Sequence, residues 1–254
     1  MIYRFQGRSD GAAFPSGQIV FDQVGNTYGV TQGGDDGGST VYELTPSSSG
    51  WSESSIYPFS GKSRGGLAID QSGNLYGTSY YGGNGAGVVF QLVPSASGWT
   101  ANTLHVFTGG DGSNPLGDLV LDNSGDIYGE TITSSGGQPI VYMLYRSGDN
   151  WKYRLVYHLP HPPPGRDHNA QGLTVDAAGN LYGASCEGGS YGHGYVFELQ
   201  PEGGGWIFSY LHDFQGTDGD CPITTVLIGT NGAVYGTAAG GGAYSQGVVW
   251  QLSP

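Results

Sequence analysis

The chain has 254 residues, enough for one large domain or two small ones, and its 49 glycines and 13 prolines come with 13% aromatics, so a core is available. Eight basic against 21 acidic residues leave a net charge of −13, which disfavours nucleic acid and anionic membrane surfaces, because both need clustered cations. No apolar run is long enough to cross a bilayer, and residues 1–20 lack the apolar stretch of a secretory signal, so any export signal is expected to have been removed or never present.

The first strand-like run is "IYRF" at 2–5. "IVFDQVGN" at 19–26 then reads as a strand entering a turn, in which Asp bonds the turn backbone while Gly and Asn take positive φ. "NTYGVT" at 26–31 follows as a second strand, a glycine-rich loop leads to a third at "VYEL" 41–44, and "TPSSSG" turns into a fourth that opens at Trp51 and reaches Phe59. The unit then recurs. Aligned on the Tyr-Gly pair it places Tyr28, Tyr76, Tyr128, Tyr182 and Tyr235 at spacings of 48, 52, 54 and 53. The third strands are "VYEL", "VFQL", "VYML", "VFEL" and "VWQL", whose aromatic and leucine positions share a face. Trp99, Trp151 and Trp206 open the later fourth strands, each followed eight residues on by Phe107, Leu159 and Phe214. In each unit the repeated glycine is expected to let a neighbouring sheet approach closely, with the tyrosine packed between sheets.

A period near 50 with no helical pattern is an all-β array. The last unit stops after its third strand at "VVWQLSP", and "IYRF" matches the end of a fourth strand such as "LHVF" at 104–107. A single five-bladed β-propeller spanning 1–254 is therefore expected, closed by the N-terminal strand completing the last blade; an open five-repeat solenoid is the alternative. No tryptophan stands before Ile2, which suggests that an upstream portion was trimmed. Cys186 and Cys221 allow one disulfide or two free thiols.

"DGSNPLG" at 111–117, "LAIDQSGNLYGT" at 67–78 and "GGSYGHGYVFEL" at 188–199 resemble the GloVer tandem repeat of bacterial proteins that carry a choice of surface anchors. The resemblance spans essentially the whole chain and implies a secreted or cell-surface setting, but no particular activity. The chain departs from the pattern in the long loop before the fourth unit's first strand, and at Gly229, which replaces the turn Asp.

Strand direction would put the tight turns on one face and the variable loops and blade crossings on the other, around the mouth of a central channel, where function is expected. Asp10, Asp35, Asp36, Asp111, Asp167, Glu187, Asp218 and Asp220 fall on those loops. Asp-Gly pairs at 10–11, 111–112 and 218–219 read first as turn formers. The fourth unit gathers His158, His161, Arg166, Asp167, His168, Cys186, Glu187 and His193. His161, His168 and His193 are the candidates for a divalent metal or a sugar hydroxyl, although their spacing matches no zinc signature and no cofactor is required. His105 and His212 align with Tyr57 and Tyr157 and read as packing residues.

Glu130 stands where other units carry Val, Thr or Ala. It is either an exposed strand end or a general acid, paired with Asp36, Asp111 or Asp220 in glycosidase fashion. Tyr80, Tyr81, Tyr191 and Tyr244 offer stacking platforms for sugar rings. The leading reading is a monomeric extracellular module that binds carbohydrate. The alternatives are a polysaccharide hydrolase or lyase, and a display or protein-interaction scaffold.

Overall fold

The computed structural model describes residues 1–5, 14–32, 38–59, 61–63, 65–133, 137–160 and 172–253. It is all-β, with five antiparallel sheets that are the blades of a five-bladed β-propeller. The chain divides into two compact units, Met1–Thr108 with two blades and Gly109–Pro254 with three.

In the first unit, blade 1 comprises β1 (Pro15–Phe21), β2 (Thr27–Thr31), β3 (Ser39–Ser47) and β4 (Gly50–Phe59), paired in that order. Blade 2 comprises β5 (Ala68–Ile69), β6 (Leu75–Ser79), β7 (Val88–Ser95) and β8 (Gly98–Val106). In the second unit, blade 3 is β9 (Ser113–Leu121), β10 (Ile127–Thr133), β11 (Ile140–Ser147) and β12 (Asn150–His158). Blade 4 is β13 (Thr174–Val175), β14 (Leu181–Ser185), β15 (Tyr195–Glu202) and β16 (Gly205–Asp213). Blade 5 differs. Its β17 (Asp220–Pro222) and β18 (Leu227–Ile228) lie one after the other along β19 (Val234–Gly240), and β20 (Val248–Leu252) takes the other side of β19.

The turn between first and second strands repeats to the atom. Asp70 Oδ1 accepts the N–H groups of Ser72 and Asn74, at 2.8 and 2.9 Å, and Asp70 Oδ2 accepts from Asn74 Nδ2 at 2.7 Å and from the Tyr76 hydroxyl at 2.9 Å. Asp22 and Asp176 do the same in blades 1 and 4. Only the glycine of each turn has positive φ, at Gly25, Gly73, Gly125, Gly179 and Gly232. The asparagine expected there is instead a side-chain donor that crosslinks the turn. Blade 5 keeps the turn without its Asp, because Asn231 Oδ1 accepts from the Ala233 N–H at 3.2 Å.

The Tyr-Gly glycine has a different task from the one expected. A Cβ on Gly29, Gly77, Gly129, Gly183 or Gly236 would fall within 2.2–2.6 Å of the ring or hydroxyl of Tyr42, Phe90, Tyr142, Phe197 or Trp250 in turn. Each ring belongs to the residue paired with that glycine across the same sheet, so the room is filled from within the blade and no neighbouring backbone needs it. The tyrosine does pack between blades: Tyr28 meets Trp99 edge-on at 5.7 Å, and Tyr128 meets Trp206 at 6.1 Å. A register shift recurs at Val41/Tyr42, Val89/Phe90, Val141/Tyr142 and Val196/Phe197, bending each outer hairpin alike.

Blade-to-blade packing follows one rule. The residue ending a fourth strand lies on the third-strand aromatic of the next blade, as Phe59 on Phe90 at 5.2 Å and Phe214 on Trp250 at 6.0 Å. In the second unit Tyr128, Val141, Leu159, Leu173, Leu181, Tyr195 and Phe197 fuse blades 3 and 4 into one core. Burying a side chain of this size contributes roughly 1.5–3 kcal/mol.

The closing strand expected at the N-terminus is not confirmed: Met1–Phe5 carry no strand structure. Phe5 instead packs its ring edge-on against Tyr42 at 4.9 Å, the contact that fourth-strand ends make elsewhere. Val249, whose counterparts Val141 and Val196 are buried, is 84% exposed.

Candidate functional site

In the second unit three loops of blades 4 and 5 are fastened into one cluster. They are the β14–β15 loop (186–194), the crossing from β16 to β17 (214–219) with β17 itself, and the β19–β20 loop (241–247). Cys186 and Cys221 form a disulfide between the first loop and β17. Beside it His193 Nδ1 lies 3.1 Å from Asp220 Oδ1, and the Cys221 N–H donates to the His193 carbonyl at 2.9 Å. Cys221 adopts φ of 56°, a left-handed conformation costly for a residue with a Cβ, and its place in this network holds it there. The Gly242 N–H donates to the Gly216 carbonyl at 3.0 Å, joining the third loop to the crossing.

Carboxylates lock the interior of the cluster. Asp213 Oδ2 accepts the Ser190 N–H at 2.8 Å. Asp218 accepts the Gln215 N–H at 2.8 Å and sits 2.9 Å from His212 Nε2. Burial works against ionisation of Asp218, but the Gln215 N–H and His212 outweigh it and hold the carboxyl below its ordinary range. The Glu187 carbonyl accepts from Ser185 Oγ at 2.8 Å, and its carboxylate lies 3.9 Å from Cys186 Sγ.

Two aromatic rings project from this framework. Tyr191 is 57% exposed and Tyr244 is 88% exposed. The cluster therefore combines half-exposed carboxylate and imidazole with bare phenol rings on a cross-linked frame. That chemistry stacks on an apolar ring face and accepts hydrogen bonds from hydroxyls at its rim.

Of the residues singled out from sequence, Glu187, Tyr191, His193, Asp218, Asp220 and Tyr244 fall in this cluster, and the disulfide is formed. Tyr80 and Tyr81 lie in the first unit, edge-on to each other at 4.5 Å. Asp36, His161, Asp167 and His168 lie outside the described residues. His193 engages Asp220, and among the described residues no group of three potential ligands is placed to hold a metal. Asp111 contributes its carbonyl, which accepts from the Tyr153 hydroxyl at 2.7 Å.

Glu130 is not an exposed strand end. It is 1% exposed on β10, opposite Leu116 and Val141. Alternation along β10 turns it to the face that carries Tyr128, into the blade 3–4 core. His105 and His212 lie edge-on to Phe107 and Phe214, each two residues further along the chain. The bond from His212 to Asp218 and the Asp213 clamp were not foreseen. Each spans a strand end and a loop, and no spacing in the sequence marks such a pair.

A family model described as the Gloeobacter/Verrucomicrobia repeat matches residues 1–158 and again 132–254. No curated protein matches the chain. Solved structures similar to it include a protein assigned as a gluconolactonase, 15% identical with a TM-score of 0.54, over 92% of this chain and 72% of that one. Another, assigned as a 6-phosphogluconolactonase from Bacteroides uniformis, is 12% identical with a TM-score of 0.57, over 92% and 68%. A third, of unknown function from Dyadobacter fermentans, is 14% identical with a TM-score of 0.53, over 89% and 74%. At these identities the likeness is one of fold.

Proposed function

The chain belongs to the Gloeobacter/Verrucomicrobia repeat family, and from that premise we propose that it is an extracellular recognition module binding carbohydrate at the loop cluster of blades 4 and 5. The observation that carries this reading is Tyr191, an exposed ring on a loop held by the Cys186–Cys221 bridge and flanked by the His193–Asp220 pair. A rigid aromatic platform beside fixed acceptors loses little entropy when a sugar docks. The disulfide supports an oxidising compartment, hence secretion or surface display. With a net charge of −13, nucleic acid and membrane insertion are poor partners.

Glycan-array screening of the disulfide-intact protein tests the reading. Binding should fall about tenfold or more in Tyr191→Ala, the loss of one good stacking contact. A hit list unaffected by that change would move the site elsewhere, and an empty array would leave the display-scaffold alternative.

A second reading, a lactonase-like or polysaccharide-acting hydrolase, is favoured by the assignments of two structural neighbours and by the buried carboxylate of Glu130. Turnover of aldonolactones and polysaccharides by the wild type, abolished in Glu130→Gln, would establish it. Equal turnover in both would remove Glu130 from the chemistry.

A further inference from the structure

Tyr191 and Tyr244 are two copies of one device. They stand 53 residues apart, at the same position of the second-to-third-strand loop in successive blades. Their loops are closed by the same backbone bond, Gly194 N–H to Gly188 carbonyl at 3.1 Å and Gly247 N–H to Gly241 carbonyl at 3.2 Å. The residue after each tyrosine takes the same left-handed conformation, φ 77° at Gly192 and φ 54° at Ser245. Serine pays for that conformation where glycine does not, so the second loop keeps the frame of the first against its own preference. Blade 2 shares the left-handed position, with Gly85 at φ 93°, but closes its loop from the Gly87 N–H to the Gly82 carbonyl at 3.1 Å and carries Asn84 in place of the tyrosine. The aromatic pair is thus confined to the two loops that flank the disulfide-bridged crossing.

The charge of the cluster narrows what those rings can hold. Residues 186–194, 214–222 and 240–247 contain no lysine or arginine, yet they include Glu187, Asp218 and Asp220. The His193 imidazole is set against Asp220, Nδ1 to Oδ1 at 3.1 Å. A uronic-acid or sulfated chain would bring like charge to carboxylates with no lysine or arginine in these three segments to offset it. Neutral hydroxyls meet acceptors they can donate to.

Resting on the carbohydrate reading above, we propose that the loop cluster binds an unbranched neutral polysaccharide. Tyr191 and Tyr244 act as two equivalent platforms for separated rings of one chain, with Asp220 as a hydroxyl acceptor between them. Two weak, identical contacts on one rigid frame gain through effective concentration once a ligand is long enough to span both.

The test is calorimetric titration with gluco- and manno-oligosaccharides of increasing length, with chitosan oligomers, and with polygalacturonate. Affinity for the neutral series should step up by about a factor of ten or more at the length that reaches both rings, and should change little with salt. Tyr191→Ala and Tyr244→Ala should each abolish the step. Tyr→Trp at either position should retain it. Both tyrosines are solvent-exposed, and unchanged thermal unfolding of the variants separates lost contact from lost fold. Length-independent affinity, indifference to Tyr244→Ala, or preference for polygalacturonate or chitosan would overturn the two-platform, neutral-chain inference and leave carbohydrate binding standing. If no saccharide of any class binds, both fail together.

Discussion

The Asp126 N–H donates to Asp122 Oδ1 at 3.0 Å, as Asn26, Asn74 and Asn180 donate to Asp22, Asp70 and Asp176, but the Asp126 side chain cannot repeat the second bond that those asparagines make. Their Nδ2 groups donate to the other oxygen of the turn aspartate at 2.7–2.9 Å. In blade 3 a carboxyl stands there instead. Burial and the Asp122 charge raise its pKa above the ordinary value, partly offset by Arg154.

Asp126→Asn should therefore stabilise the protein, by about 0.5–1.5 kcal/mol, the worth of one restored hydrogen bond. The sign of the pH dependence follows from the raised pKa. The folded state favours the protonated acid, so wild-type stability falls as pH climbs from the ordinary value of 3.8 through the raised one, then levels off. The advantage of the Asn variant should be small in acid and full near neutrality. Chemical denaturation of both proteins across that range decides it; a gap that is constant with pH would refute the account.

Asp22 has the opposite sign. Burial opposes its charge, yet the donors Asn26, Tyr28 and Val24 together hold its pKa below the ordinary 3.8. Its contribution is present above that value and drains away as pH falls through the lowered one. Asp22→Ala leaves the Val24 and Asn26 donors without their acceptor, while the Tyr28 hydroxyl keeps Glu43 at 3.0 Å, and should cost about 1–3 kcal/mol at neutral pH. Wild type and variant should converge in acid, as read from midpoints of urea unfolding.

Gly183 is helped by having no side chain rather than by backbone freedom. A Cβ there would lie 2.4 Å from Phe197 Cζ and 3.1 Å from Leu173 Cδ2. Gly183→Ala should destabilise by about 1–3 kcal/mol through overpacking. Combined with Phe197→Leu the two losses should sum to less than their total, because the smaller side chain vacates the contested space. Strict additivity would show that the ring is not what excludes the methyl.

The Cys186–Cys221 bridge closes a sequence separation of 35 and ties blade 4 to blade 5. Replacing both cysteines with serine should lower stability by about 3–4 kcal/mol in the chain-entropy picture. It should also speed amide exchange at His193 and Asp220, whose contacts depend on the bridge. Protection unchanged at these amides would mean the His193–Asp220 contact alone sets the loop.

The blades were legible from the chain because their determinants are local. Asp70, Gly73, Asn74 and Tyr76 lie within one hairpin, so their spacing carries the turn, and the aromatic-x-leucine pattern of the third strands carries the buried face. The two cysteines were visible but their pairing was not, since nothing in their spacing says that β14 and β17 end side by side.

What needed the fold were relations between segments far apart in sequence. Glu130 reads as an exposed strand end or a buried acid according to what covers β10, and only the fold shows it buried. His193 meets Asp220 only once successive blades bring their loops together. Likewise the opening segment has the pattern of a fourth strand, yet its Phe5 is placed by an aromatic contact with Tyr42 and not by a ladder. Side-chain alternation and turn chemistry are properties of a few consecutive residues, whereas packing partners are chosen by the whole chain. The first kind of information is written along the sequence, and the second exists only after folding.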